Sequence, residues 1–177
     1  FAIVAALSAL SMMWVWAVVP AGLKAQPLSL ASWRAVLTSP KLMLVLMVTL
    51  ISFSGQFVIV SYMAPLFKVT LGAGAAMIAG LFAVYGVAAV AGNTLATSAV
   101  GRFGVDRTIL VALVLMTLGL AIGALAGGVL AVVIVALLLW GLGSFSANSL
   151  QQSRLAGIAP ALASASIALN TSAIYLG

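Results

Sequence analysis

The chain has 177 residues, of which 66% are hydrophobic and 5% charged, with seven basic residues, one acid and a formal net charge of +6. A soluble domain carries roughly a quarter of its residues as charges, so this composition cannot cover a water-facing surface and marks an integral membrane protein. The basic residues are scattered singly and form no patch for nucleic acid; in a membrane protein they mark the cytoplasmic side. With no Cys and no His, disulfides, thiolate metal sites and imidazole chemistry are all excluded.

A membrane helix needs about 20 apolar residues, and charges and breakers cut the chain into such lengths. Residues 1–19 form a first span, ended by Pro20-Ala21-Gly22, with Trp14 and Trp16 near that end, where an aromatic belt lies. Phe1 opens inside an apolar run without a charged leader and Gly177 stops inside another, so the sequence reads as part of a longer chain. Residues 20–40 are the one real linker. Within it Leu30, Trp33 and Leu37 recur at helical spacing, which fits either a short helix in the headgroup region or a solvated loop.

Ser39-Pro40 opens a second span over 42–64, closed by Pro65. A third covers 75–99. The uncharged run from Thr108 to Ser153 is too long for one helix; Gly127-Gly128 divides it into spans at 109–126 and 129–149. Pro160 opens a sixth span, cut short at Gly177. The runs do not alternate in polarity, which argues against a β-barrel. The fold class expected is an all-α integral membrane bundle of about six spans, the last truncated. The first, third and fifth loops hold Lys24, Arg34, Lys41, Arg102, Arg107 and Arg154, against Lys68 alone on the other side. The positive-inside bias places those three loops in the cytoplasm.

Inside the spans the informative residues are polar. Gly119, Gly123 and Gly127 recur every fourth residue on span four, a small-residue packing seam. That span otherwise holds only Thr117 and reads as a peripheral scaffold helix. Span two carries Thr49, Ser52 and Gln56 on one face. Span five carries Gly141, Ser144 and Asn148, with Gln151 continuing the face, and span six carries Ser166 and Asn170 in line with Gly177. Tyr85 and Asn93 stand on span three. Amides in hydrocarbon are costly without a partner or water, so these faces meet protein or a water-filled cavity. Ser52, Gln56, Tyr85, Asn148 and Asn170 are the candidate solute-binding residues. Tyr85 and Tyr175 fit either a cavity wall or a helix contact. No span holds a charged residue well inside it, and no nucleophile–base pair, metal cluster or phosphate loop is present. No cofactor is expected.

Between the third and fourth spans, Gly101-Arg102-Phe103-Gly104-Val105-Asp106-Arg107 concentrates two basic residues and the only acid. Gly92-Asn93, Arg102-Phe103-Gly104 and Asp106-Arg107 resemble the signature loop G-x-x-x-D-R-x-G-R-R of major facilitator superfamily transporters. Aligned on Arg-Phe-Gly, the family's acid falls on Gly101 and its first glycine on Thr97. The stretch from Gln151 to Ala156 and on through Ala163–Ser166 to Asn170 is similar to the helix ten–eleven junction of the drug:proton antiporter-1 branch. The basic linker resembles the loop joining the two six-helix halves.

The resemblance implies the second half of such a transporter, helix six through part of helix eleven, with residues 41–177 as the half-bundle. Spans two, three, five and six would correspond to cavity-facing helices and span four to peripheral helix nine. It also implies an efflux permease in a bacterial inner membrane, working by alternating access with an N-terminal half outside this sequence. Arg102, Gly104, Asp106 and Arg107 would bias its conformational equilibrium through charge contacts to a neighbouring helix. The implied partners are the lipid bilayer and a small solute, and uncharged amides suit a neutral or amphipathic one. A membrane-embedded enzyme would need a titratable cluster, and a non-transporting scaffold would not need amides aligned on several helices. Asp106 sits in a loop among cations, so any proton-coupling residue is expected outside this stretch of chain.

Overall fold

The computed structural model describes residues 2–19 and 28–176. They form seven α-helices, with no strand among the described residues: α1 (Ala2–Val18), α2 (Leu30–Thr38), α3 (Pro40–Leu71), α4 (Ala75–Phe103), α5 (Val105–Ala124), α6 (Leu130–Ile158) and α7 (Ala163–Leu176), with one 3₁₀ turn at Pro160–Leu162. Four of them, α3 to α6, are long and apolar enough to cross a membrane. The all-α membrane bundle expected from composition is the fold observed.

Several boundaries move, each for a local reason. Pro65 does not close its span; α3 runs through it to Leu71. A proline here costs one backbone hydrogen bond, which membrane helices tolerate when neighbours resatisfy the freed carbonyl. The actual stop is Gly72, whose φ of 63° lets the Ala73 N–H reach back to the Phe67 carbonyl at 3.2 Å. At 32 residues, α3 is about 48 Å long, more than the hydrocarbon core alone requires. The loop after span three shrinks to Gly104, with φ 80°, so Arg102 lies in the last turn of α4 and Asp106 in the first turn of α5. Helix α6 also outruns its expected end at 149. Nothing before Pro160 breaks it, so Gln151, Gln152 and Arg154 are helical, not in a loop. The Gly127-Gly128 turn stands where expected, both residues having positive φ.

In the linker, α2 is capped by Ser29, whose side chain accepts from the Ser32 N–H at 3.1 Å. Its anchor is Val36, fully buried against Leu42, Val45 and Leu155. Leu30 and Leu37, two of the residues that suggested this helix, are exposed. Residues 20–27, including Lys24, lie outside the described residues, as does Gly177. The described side chains of α1 are all exposed.

Helix α6 is the centre of the bundle. It packs extensively against α5 and α4, and more lightly against α7 and α3, while α3 finds its main neighbour in α7. Apolar burial gives little drive between helices in lipid, so close backbone approach must supply the contact. Glycines permit it. A Cβ on Gly92 of α4 would lie on the Leu142 backbone, and one on Gly141 of α6 would lie 2.7 Å from the Tyr85 carbonyl oxygen. On the other side, Gly143 abuts the Ala112 and Met116 backbone, and Gly119 of α5 abuts Ala136 and Trp140 of α6. Only part of the predicted three-glycine seam is therefore a close approach. A Cβ on Gly123 would meet Ala136 Cβ at an ordinary 3.5 Å, and Gly127 lies beyond the helix.

Gly92→Ala or Gly119→Ala should cost about 1–3 kcal/mol through overpacking and lower the thermal unfolding midpoint in detergent. Gly86→Ala, on α4 with nothing within 4 Å of its Cβ, should leave that midpoint unchanged or raise it.

Candidate functional site

The polar side chains of α3, α4 and α6 converge on a cavity of about 270 Å³. Helix α3 contributes Phe53, Gln56, Phe57 and Val60; α4 contributes Tyr85; α6 contributes Ser144, Phe145 and Asn148. These residues meet because α6 lies directly against α4 at Gly141, which brings Tyr85 beside Ser144. The Tyr85 hydroxyl and Ser144 Oγ are 3.1 Å apart, and Ser144 Oγ also reaches the Gly141 carbonyl oxygen at 3.3 Å.

Gln56 is almost fully buried, and its Oε1 accepts a hydrogen bond from the Trp140 indole Nε1 at 3.2 Å. The Trp140 ring in turn packs on the Tyr85 ring, with centroids 4.6 Å apart and planes tilted 45°. Gln56, Tyr85 and Ser144 thus form the floor, braced by Trp140, which does not itself line the cavity. At its edge Asn148 Oδ1 accepts from Gln152 Nε2 at 3.4 Å, within one turn of α6.

Of the five residues singled out in sequence, Gln56, Tyr85 and Asn148 share this cavity. Ser52 is half-buried on α3 and does not line it. Asn170 lies elsewhere, fully buried between α7 and α3, where its Oδ1 accepts from Thr49 Oγ1 at 2.7 Å while its Nδ2 has no partner among the described residues. Gln151 Oε1, also buried, is likewise unpaired among the described residues. Asn93 pairs with Ser149, whose Oγ donates to Asn93 Oδ1 at 2.7 Å on an exposed face. Tyr175 is 80% exposed.

Ser144 was on the expected face; Trp140 was not anticipated. Its signal was position: an indole in the middle of an aliphatic run rather than at a span end. A larger cavity of about 380 Å³ lies on the other side of Trp140, bounded by α3, α5 and the Gly127-Gly128 turn. Its polar side chains are Thr70, whose hydroxyl is spent on the Leu66 carbonyl at 2.8 Å, and Trp140, whose N–H is bound to Gln56, so it offers no free side-chain group to orient a polar solute. The smaller cavity is the candidate site.

The signature loop forms a contact not named from sequence. Arg154 Nε of α6 stands 3.0 Å from Asp106 Oδ1 at the start of α5. Asp106 also lies in the first turn of α5, where a carboxylate suits the helix dipole. Arg102 stacks over its neighbour Phe103, 5.5 Å from the ring centroid, and Arg107 is exposed.

Apolar spans enclosing an uncharged, amide-tipped cavity between their helices have the organisation of a membrane transport protein. The entire chain, residues 1–177, matches the sequence profile of the Major Facilitator Superfamily, and the chain belongs to that family of membrane transporters. No solved structure matches it.

The Asp106–Arg154 pair is exposed, the Asp106 side chain at 79%. Solvent screening leaves such a pair worth less than about 1 kcal/mol. Asp106→Asn and Arg154→Gln should each shift the unfolding midpoint by no more than a degree or two, read by thermal denaturation at low salt.

Proposed function

We propose that this chain is the solute-binding C-terminal half of a secondary active efflux permease, completed by a second half-bundle and working by alternating access. The observation that carries the reading is the cavity between α3, α4 and α6. Its polar groups are amides and hydroxyls, its remaining walls are aromatic or aliphatic, and none of its lining residues is charged. Such a site suits a small neutral or amphipathic solute; a charged one would need a fixed counter-charge in hydrocarbon. An enzyme reading finds no support here, because the cavity holds no carboxylate, imidazole or thiol.

The loop resemblance supports placement in the drug:proton antiporter-1 branch, in a bacterial inner membrane. In this reading Arg102, Gly104, Asp106 and Arg107 lie on the cytoplasmic side and bias the conformational equilibrium. The Asp106–Arg154 pair then ties the α4–α5 turn to α6 in one conformation. Asn170 contributes by holding α7 to α3 through Thr49 rather than by lining this cavity. Proton coupling falls to a group outside this stretch, since Asp106 is surface-exposed and paired with a cation.

Transport should report on the cavity. In proteoliposomes, Gln56→Leu and Asn148→Leu should each change solute flux several-fold while insertion and folding survive; normal flux of every tested solute in both variants would reduce the two amides to helix contacts. Orientation is tested separately, because the chain has no native cysteine. Phe103→Cys, at the last residue of α4, and Leu125→Cys, just past the end of α5, place thiols at exposed positions flanking the two ends of α5. A membrane-impermeant reagent should label position 103 only from the cytoplasm and position 125 only from outside. The reverse pattern would invert the topology.

A further inference from the structure

We propose that the α3/α4/α6 cavity selects neutral solutes carrying an aromatic ring and a hydrogen-bond acceptor, such as a carbonyl, sulfonyl or ether oxygen, over donor-rich polyols. The inference rests on the transporter reading above and assigns it a substrate class.

The argument starts from Trp140. An indole N–H can only donate. Its contact with Gln56 at 3.2 Å therefore requires the amide oxygen on that side; the flipped amide would set N–H against N–H. With Oε1 committed to the indole, the group Gln56 has left for the cavity is its NH₂. Gln56 is only 6% exposed, so its rotamer is held by packing as well. Asn148 stands beside it as a second amide: its Oδ1 accepts from Gln152 Nε2 at 3.4 Å with its NH₂ left for the cavity, although Gln152, unlike an indole, can meet either end of an amide.

The hydroxyls are largely spent on each other. Ser144 Oγ lies 3.3 Å from the Gly141 carbonyl oxygen and 3.1 Å from the Tyr85 hydroxyl, and either hydroxyl can donate within that pair. In both arrangements the phenol oxygen keeps a lone pair. The floor thus offers a solute two amides, that of Gln56 held with its NH₂ outward, and one phenol hydroxyl. Around them stand Phe53 and Phe57, with centroids 6.0 Å apart, and Phe145. A planar ring fits against these faces. The cavity, about 270 Å³, sits near the lower end of small-molecule sites, roughly 300 Å³.

A solute with one ring and one or two acceptor oxygens meets the amide donors and brings no donor of its own that must find a partner. A polyol brings several O–H donors into a space with one free acceptor. Each hydroxyl buried without a partner costs on the order of tenfold in affinity or more. Trp140 is a positioning residue here: it does not line this cavity, yet it fixes which end of Gln56 does.

The test uses the protein in lipid nanodiscs, with calorimetric titration of two neutral probes. N,N-diethylbenzamide has a ring and an acceptor but no donor; phenyl β-glucoside has a ring and four hydroxyl donors. The benzamide should bind at least about tenfold tighter. Gln56→Glu, which replaces the donor by an oxygen, should weaken benzamide binding by about tenfold or more, and Gln56→Met, uncharged and close in volume, should weaken it in the same direction. Trp140→Phe releases the amide to turn either way. It should bring the benzamide-to-glucoside affinity ratio toward one, whereas loss of mere packing would weaken both probes alike and leave the ratio intact. Equal or tighter binding of the glucoside by the unmodified protein, or an unchanged ratio in Trp140→Phe, overturns the substrate class and leaves the transporter reading standing. A folded protein that binds neither probe and carries neither across a liposome membrane overturns the solute-site reading itself.

Discussion

The structure depends on helix backbones touching without side chains between them. In lipid, two apolar helices gain little by leaving their surroundings for one another, so association rests on contact distance. Helix α6 meets this requirement on two sides at once, through Gly141 and Gly92 toward α4 and through Gly143 and Gly119 toward α5. A single methyl at Gly92 or Gly119 would sit on backbone atoms, which cannot swing aside as a side chain can. These approaches fix the height and rotation of α6, and so where each of its polar side chains faces. Ser144 meets Tyr85 because Gly141, three residues earlier, rests on the Tyr85 carbonyl.

That constraint places Trp140 as a partition. One side of the indole bounds the apolar space beneath the Gly127-Gly128 turn; its N–H marks the polar space on the other. The two cavities differ in what they can do. The larger could take hydrocarbon but has no side chain with a free polar group to orient it. The smaller has few polar groups, but their directions are set by bonds to neighbours. Orientation in a low-dielectric site comes from such fixed dipoles rather than from volume.

How much was legible in sequence follows the range of the interactions. Composition and run length decide membrane insertion, and those are local properties, so the four long spans α3 to α6 and the Gly127-Gly128 turn could be read directly. Element ends were read less well where one residue's preference was weighed alone. Pro65 is a breaker in water but tolerated inside α3, and residues 150–158 contain nothing that stops a helix, polar as they are. The site was legible as a set of polar faces: Gln56, Tyr85, Ser144 and Asn148 each stood out as an amide or hydroxyl among aliphatics. What periodicity cannot supply is the partner. Trp140 was hidden because an indole passes as one more hydrophobic residue in an aliphatic run, and Arg154 because its ion pair joins residues 48 positions apart.

The limits of periodicity are clearest on α3. Thr49 and Gln56 are seven residues apart, so they stand two turns apart on one face, and a single shared cavity is the natural reading of that face. The structure divides it between two neighbours. Thr49 bonds Asn170 of α7, in the region where Val45 and Leu46 pack with Leu155 and Ala165. Gln56 bonds Trp140 of α6, where Met63 and Phe67 join Leu81 and Leu137. Along its length α3 therefore changes partner from α7 to α6, each polar bond sitting beside an apolar cluster. A helix that crosses between two neighbours cannot stay in contact with both throughout. The cavity lies along the stretch of α3 from Phe53 to Val60, past the Thr49–Asn170 bond, and it is walled by α4 and α6 with no residue from α7. Gln56 lines it for that reason and Asn170 does not, although both carry the same amide in the same kind of sequence.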